Sequence, residues 1–285
     1  MSRIVFVFMW LVHLLPFRAM AWVGNAAGSI LFWLIPERRR VTRINLQKCF
    51  PQMPAAEREK LARAAFRAFC RAFIDRGVLW WGSQERIKRM VRVEGVEHLN
   101  SAGPRILILA PHFAGLDAAG IRIAMLREMC SLYSRQKDPR FDALLLKSRI
   151  RWGGWVVSRQ EGLRKVLRAI KSGLPFYYLP DLDFGPKGSI FVPFFGVPAA
   201  TVLGLPYIAR STGAVVVPCV ARMLPGGGYV AQFYPAWSDY PSGDDAADVR
   251  RMTAFIEERV LEMPEQYHWL HKRFKTRPEG EAKFY

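Results

Sequence analysis

His112 and Asp117 stand five positions apart in the stretch Ile106-Leu-Ile-Leu-Ala-Pro-His-Phe-Ala-Gly-Leu-Asp117. An imidazole takes up a proton near neutral pH, and a carboxylate bonded to its second nitrogen fixes the tautomer and stabilises the imidazolium. If the two side chains meet, they form a general-base unit. On one unbroken helix, residues five apart would point roughly 140° away from each other. Across a turn such as Phe113-Ala114-Gly115 they can converge. The alternative is a lone loop histidine beside an aspartate that only caps a helix. His-x4-Asp is a loose pattern, and spacing alone leaves both readings open.

The flanking residues say where such a pair would sit. Residues 106–110 are a short apolar run with β-branched members, bounded by Gly103-Pro104 and Pro111, which reads as a buried parallel strand. The residues after Asp117 suit a helix with Ile121, Met125 and Leu126 inward. His112 then lies at a strand end and Asp117 at a helix start, the crevice where open α/β sheets bind ligands.

The loop Pro180-Asp-Leu-Asp-Phe-Gly-Pro-Lys-Gly-Ser189 follows a second strand at 176–179 and belongs on the same sheet edge. Asp181 and Asp183 are two hard ligands for Mg²⁺, but no histidine accompanies them, and pairing of Asp181 with an arginine is preferred. Gly185, Lys187 and Gly188 lack the spacing of a Walker phosphate loop. No Gly-x-Ser-x-Gly elbow occurs, and no cysteine lies beside a histidine. An acyl-transfer reaction here would therefore have His112 activate an acceptor hydroxyl directly, with arginine or backbone N–H groups meeting the oxyanion. His268 and His271 have i, i+3 spacing without a third ligand, so packing or solvation is preferred over zinc.

The elements around these residues alternate. Residues 54–81 read as a helix with Leu61, Ala65, Phe69 and Phe73 on one face and Arg58, Arg63, Arg67 and Arg71 on another. Further helices are expected at 85–91, 141–149, 161–171 and 245–262, and strands at 130–133, 215–221 and 229–234, with 190–195 strongly apolar. The fold class is α/β: a mixed central sheet flanked by helices. At the N-terminus, residues 4–15 and 19–35 are two apolar stretches, the first too short to span a bilayer and the second at the lower limit. A secretory signal cleaved near Ala19-Met20-Ala21 is one reading. The preferred one is a membrane anchor over residues 1–36, as one kinked span or an interfacial hairpin, ahead of one domain over 37–285. The cluster Glu37-Arg38-Arg39-Arg40, with Arg43, puts that domain on the cytoplasmic side.

The chain has 285 residues, a formal charge of +18 and an isoelectric point near 10.2, yet 51% of it is hydrophobic and 13% aromatic. A basic and apolar chain suits an anionic membrane surface or an acidic protein better than a nucleic acid. Cys49, Cys70, Cys130 and Cys219 show no metal or disulfide spacing and read as buried thiols.

Several segments together resemble the late acyltransferases of lipid A biosynthesis, the lauroyl/myristoyl branch of the lysophospholipid acyltransferase superfamily. They are Asn45-Leu-Gln-Lys-Cys-Phe-Pro51, the His112-to-Asp117 box, Leu179-Pro-Asp-Leu-Asp-Phe-Gly-Pro-Lys-Gly188, Phe191-Val-Pro-Phe-Phe-Gly196 and residues 264–280. The resemblance covers nearly the whole chain. It implies an inner-membrane enzyme with its catalytic domain on the cytoplasmic face. Such an enzyme moves an acyl chain from acyl carrier protein to a hydroxyl of a Kdo-lipid IVA-type precursor, forming an acyloxyacyl ester without any other cofactor or metal. By the same resemblance His112 is the general base and Asp117 its orienting carboxylate. Arg149 and Asp181 fall where the family carries a functional arginine and a functional aspartate.

Many members of this branch have Glu at the second box position, so Asp117 is one methylene shorter and the base must sit nearer to it. A chain of roughly C12–C14 needs an apolar slot, and a misplaced methylene costs about 0.8 kcal/mol, enough for preference. Phe191, Phe194, Phe195 and the tryptophans near Trp152 are candidates for its wall, against an ordinary packing role. The rival readings are a superfamily acyltransferase with another membrane-lipid acceptor and a non-catalytic basic membrane-surface protein.

Overall fold

The computed structural model describes residues 3–158 and 161–285. Three helices come first, α1 (Arg3–Val12), α2 (Phe17–Leu34) and α3 (Pro36–Cys49), followed by the long α4 (Ala55–Trp81) and α5 (Gln84–Met90). The α/β part then runs β1 (Val91–Glu94), α6 (Val96–Asn100), β2 (Ile106–Leu109), α7 (Leu116–Ala124), β3 (Met129–Tyr133), α8 (Pro139–Ile150), β4 (Gly154–Ser158), α9 (Leu163–Lys171) and β5 (Phe176–Tyr178). It closes with the hairpin β6 (Ser189–Phe194) and β7 (Val197–Val202), α10 (Gly204–Thr212), β8 (Val215–Met223), β9 (Tyr229–Phe233) and α11 (Asp245–Glu262).

Seven strands make one sheet in the order β1-β9-β8-β2-β5-β3-β4. All pairs are parallel except β8 with β9, so the sheet is mixed, as its alternating elements implied. β2 sits in the middle because all four of its side chains are apolar and buried. Its pleat feeds both faces: Leu107 and Leu109 enter the core under α11, and Ile106 and Ile108 enter the core under α7. In α11, Val249, Met252, Ile256 and Val260 recur at helical spacing and close the first core.

Several expectations change. α7 ends at Ala124, so Ile121 is buried as foreseen but Leu126, beyond the helix, is 46% exposed. The apolar run at 190–195 is half of a separate β6–β7 hairpin, whose two-residue turn places Phe195 and Gly196 at positive φ. Arg71 does not lie on a solvated basic face. It is buried and donates to the Leu224 carbonyl at 2.6 Å.

α1 and α2 pack on α4 through Met9, Val12, Met20 and Phe32. α2 approaches α4 closely at Gly28, where a Cβ would stand 2.5 Å from the Arg67 backbone. Among the described residues no single helix is long and apolar enough to cross a membrane; α2 and α3 form a pair bent by 96°. The outer faces of α1 and α2 nevertheless leave Ile4, Val7, Leu11, Trp22, Trp33 and Leu34 more than half exposed.

Candidate active site

β2 and β5 are parallel neighbours in a register that sets Leu109 beside Tyr178. Both strands then run into a proline and a polar residue: Ala110-Pro111-His112 on one side, Leu179-Pro180-Asp181 on the other. Continuing the register three residues brings His112 opposite Asp181, and their side chains meet. Asp181 Oδ1 lies 2.6 Å from His112 Nδ1, and Oδ2 accepts the His112 backbone N–H at 2.9 Å. An ionised carboxylate only accepts, so Nδ1 carries a proton, and in the neutral ring Nε2 keeps the lone pair. Burial alone would raise the Asp181 carboxyl. The charge of His112 and its two hydrogen bonds outweigh that and hold it below the ordinary carboxylate range.

Two expectations are thereby corrected. The carboxylate on His112 is Asp181, not Asp117, and the partner of Asp181 is a histidine, not an arginine. The chain turns at Phe113–Gly115, where the Leu116 N–H bonds the Phe113 carbonyl, and α7 starts at Leu116. This carries Asp117 to the opposite wall, against α4 and α8. There its Oδ2 takes Nε and Nη2 of Arg76 at 3.0 and 2.7 Å, and its Oδ1 takes Nη2 of Arg149 at 2.9 Å. Burial works against the charged form of Asp117, but the two guanidiniums overcome it and hold the carboxyl far below its usual range. One carboxylate between two arginines leaves the wall with a net positive charge.

Arg76 was not singled out from sequence. It falls three residues after Phe73, on the apolar stripe of α4 rather than on its basic side, and a cation on a buried stripe is the signal that marks it. Its guanidinium lies 5.5 Å from the Phe73 ring.

The chain's C-terminal segment straps the His112 loop. The His268 N–H donates to the His112 carbonyl at 3.1 Å, the Ala114 N–H to Gln266 at 2.8 Å, and Phe113 bridges Tyr267. Asn45 on α3 holds that strap through the carbonyls of Trp269 and His271 at 2.7 and 2.8 Å. His268 stacks between Phe69 and His112, with ring centroids 5.7 and 6.3 Å away, and His271 stacks behind it. Burial, with the neighbouring His112 charge, pushes His268 down to about 3 and His271 to about 4, so both stay neutral. Asp183 accepts from Gly185 N–H and from the Thr276 hydroxyl and N–H, which ties the 180–189 loop to the strap. Among the described residues no three His, Cys, Asp or Glu side chains come together as a metal site.

Two clefts meet at His112, Leu116 and Arg149. One, of about 460 Å³, runs along the β5 side past Leu163, Leu182 and Phe184. The other, of about 330 Å³, runs along α4 past Phe69, Phe73 and Arg76. Neither is walled by the aromatics chosen from sequence. Phe194 is core, Phe195 packs on Phe50 at 4.9 Å, Phe191 and Trp155 are exposed, and Trp152 lies under Arg151. The β6–β7 hairpin packs against α11 and reaches the β5-side cleft only through Val202, which is why its aromatics miss both clefts.

Residues 2–276 match the sequence profile of the bacterial lipid A biosynthesis acyltransferases. The chain belongs to that family. This lipid A acyltransferase is 33% identical to the lipid A biosynthesis lauroyltransferase of Escherichia coli K12 over 277 residues, covering 95% of this chain and 90% of that one. It is 31% identical to the palmitoleoyltransferase of the same organism over 282 residues, covering 97% and 92%. Its identity to the E. coli myristoyltransferase is 32% over 278 residues, covering 93% and 83%. The chain is thus an O-acyltransferase of lipid A biosynthesis, acting late, on a lipid A precursor. Relatives named for three different acyl chains stand at nearly equal identity, so likeness does not select the chain transferred.

Proposed function

We propose that this acyltransferase moves a lauroyl or myristoyl chain from acyl carrier protein to a hydroxyl of a Kdo-lipid IVA-type precursor. It does so on the cytoplasmic face of the inner membrane, with His112 as general base. The observation that carries the reading is the 2.6 Å bond from His112 Nδ1 to Asp181, which leaves Nε2 as the basic nitrogen beside two clefts. Nε2 takes the proton of the acceptor hydroxyl, whose oxygen attacks the thioester carbonyl. The new C–O bond forms as the oxyanion develops, the C–S bond then breaks, and the imidazolium returns its proton to the departing thiolate. No acyl-enzyme is needed. Arg149 and Arg76, held by Asp117, supply positive charge for the oxyanion or an acceptor phosphate. The +18 charge suits an acidic carrier protein and a phosphorylated lipid. The exposed apolar faces of α1 and α2, followed by Arg38, Arg39 and Arg40, support residues 1–36 as the membrane anchor.

A reconstituted assay with acyl carrier protein thioesters and lipid IVA or its Kdo derivative, read by mass spectrometry, tests the reading. Wild type is expected to add one acyl chain and His112→Ala to add none, with fold and membrane association unchanged. Intact transfer by His112→Ala would remove the base from the mechanism. Acylation of lysophosphatidate with lipid IVA left untouched would overturn the acceptor.

A further inference from the structure

The cleft along α4 has an apolar pocket behind its aromatic wall. Phe69 and Phe73, which line the cleft beside His112, also line this second pocket of about 290 Å³ between α1, α2 and α4. That pocket is faced by apolar side chains, among them Val5 and Phe8 of α1, Ala27 and Leu31 of α2, and Ile74 of α4. Phe8 is itself 44% exposed, and the same two helices turn Val7, Leu11 and Ile30 outward. Phe69 and Phe73 therefore stand between an apolar pocket under the outward faces of α1 and α2 and the cleft that reaches the base. On the cleft side the lining changes from apolar to cationic within one helical turn, from Phe73 to Arg76.

The chemistry asks for an apolar site of this kind next to the base. An acyloxyacyl ester joins two chains at one carbon–oxygen bond, so two apolar troughs must diverge from the basic nitrogen. The chain that bears the reacting hydroxyl belongs to a lipid that stays in the bilayer, whereas the donor chain arrives from solution on its carrier. We propose that the pocket between α1, α2 and α4 holds the acyl chain of the lipid acceptor, and that the 460 Å³ cleft on the β5 side holds the donor chain. The assignment rests on the acceptor reading given above. Phe69 and Phe73 are its specificity-determining residues. They separate trough from base, and their rings are held by stacking on His268 at 5.7 Å and on Phe141 at 6.1 Å.

The test is photolabelling of the full chain with lipid IVA carrying a diazirine at the end of its hydroxyacyl chain, read by peptide mapping. Label on α1, α2 or α4 that excess unlabelled lipid IVA removes is the expected result. Label on residues 162–184 or 202, or label that excess lipid IVA does not displace, overturns the proposal. A kinetic arm uses Ala27→Phe, which fills the pocket from α2. The KM for lipid IVA is expected to rise about tenfold or more, with the KM for the acyl carrier protein thioester and the melting temperature unchanged. A rise in the donor KM alone contradicts the assignment. If wild type acylates lipid IVA but labels elsewhere, only the trough assignment fails. If wild type leaves lipid IVA unmodified, the acceptor reading fails and the trough assignment falls with it.

Discussion

The two walls of the cleft hold the same chemical group in opposite employment. On the sheet wall, Asp181 grips one imidazole base, bonding both the ring and the backbone N–H of His112. On the helix wall, Asp117 grips two permanent cations, Arg76 from α4 and Arg149 from α8. A carboxylate on an imidazole fixes where a proton sits. A carboxylate between guanidiniums fixes where positive charge sits and keeps the two cations from repelling each other. In this chain the His-x4-Asp box therefore encodes both walls at once: its histidine belongs to the dyad and its aspartate to the clamp.

That contrast can be broken from either side. The largest effect is expected from Asp181→Asn, which removes the acceptor that selects the tautomer. We predict a loss in kcat of about 10³-fold or more, with little change in the KM for lipid acceptor. Acyl transfer from carrier thioester to lipid IVA measures it. Asp117→Ala should act on the other wall, leaving two half-buried guanidiniums facing each other. Chemical denaturation should show a loss of about 3 kcal/mol, with activity falling alongside stability. Because the pull of its arginines depresses the Asp117 carboxyl, the stability it contributes is present above the unfolded carboxylate range and goes only in strong acid. Arg76→Gln spares the Asp117–Arg149 pair and should cost about tenfold to a hundredfold in kcat/KM at nearly wild-type stability.

The smallest effect concerns His268 and His271, which lie behind the dyad. Their folded pKa values, about 3 and about 4, lie below the unfolded value of 6.5. The unfolded chain then binds more protons, so their contribution is complete above about pH 6.5 and is lost as pH falls towards 4 and 3. Melting temperatures between pH 7 and 4 should fall less steeply in a His268→Gln, His271→Gln double variant than in wild type.

Much of the frame was legible because local pattern and tertiary burial agreed. Residues 106–110, 176–179 and 215–221 are apolar runs that end at the same sheet edge, and α11 was readable end to end from its spacing. β4 was missed because Trp152-Gly-Gly-Trp155 looks like a turn, and its strand is an edge with Trp155 exposed. β7 was missed because a hairpin turn built on Phe195-Gly196 lacks the usual Asn-Gly signal. The partner of His112 was misassigned for a different reason. Proximity along the chain favoured Asp117, whereas the pairing is set by register between two parallel strands 69 residues apart. The repeated strand-Pro-polar ending, Pro111-His112 and Pro180-Asp181, was the clue in the sequence. Arg76 was hidden because its partner lies 41 residues away, and no local spacing records that contact.

The pairing of His112 with Asp181 is tested most directly by ¹⁵N NMR of the His112 ring in wild type, Asp181→Asn and Asp117→Asn. The account predicts a proton on Nδ1 and a bare Nε2 in wild type and in Asp117→Asn, and loss of that tautomer in Asp181→Asn. A ring protonated on Nε2 in wild type, or one that changes with Asp117 and not with Asp181, would contradict it.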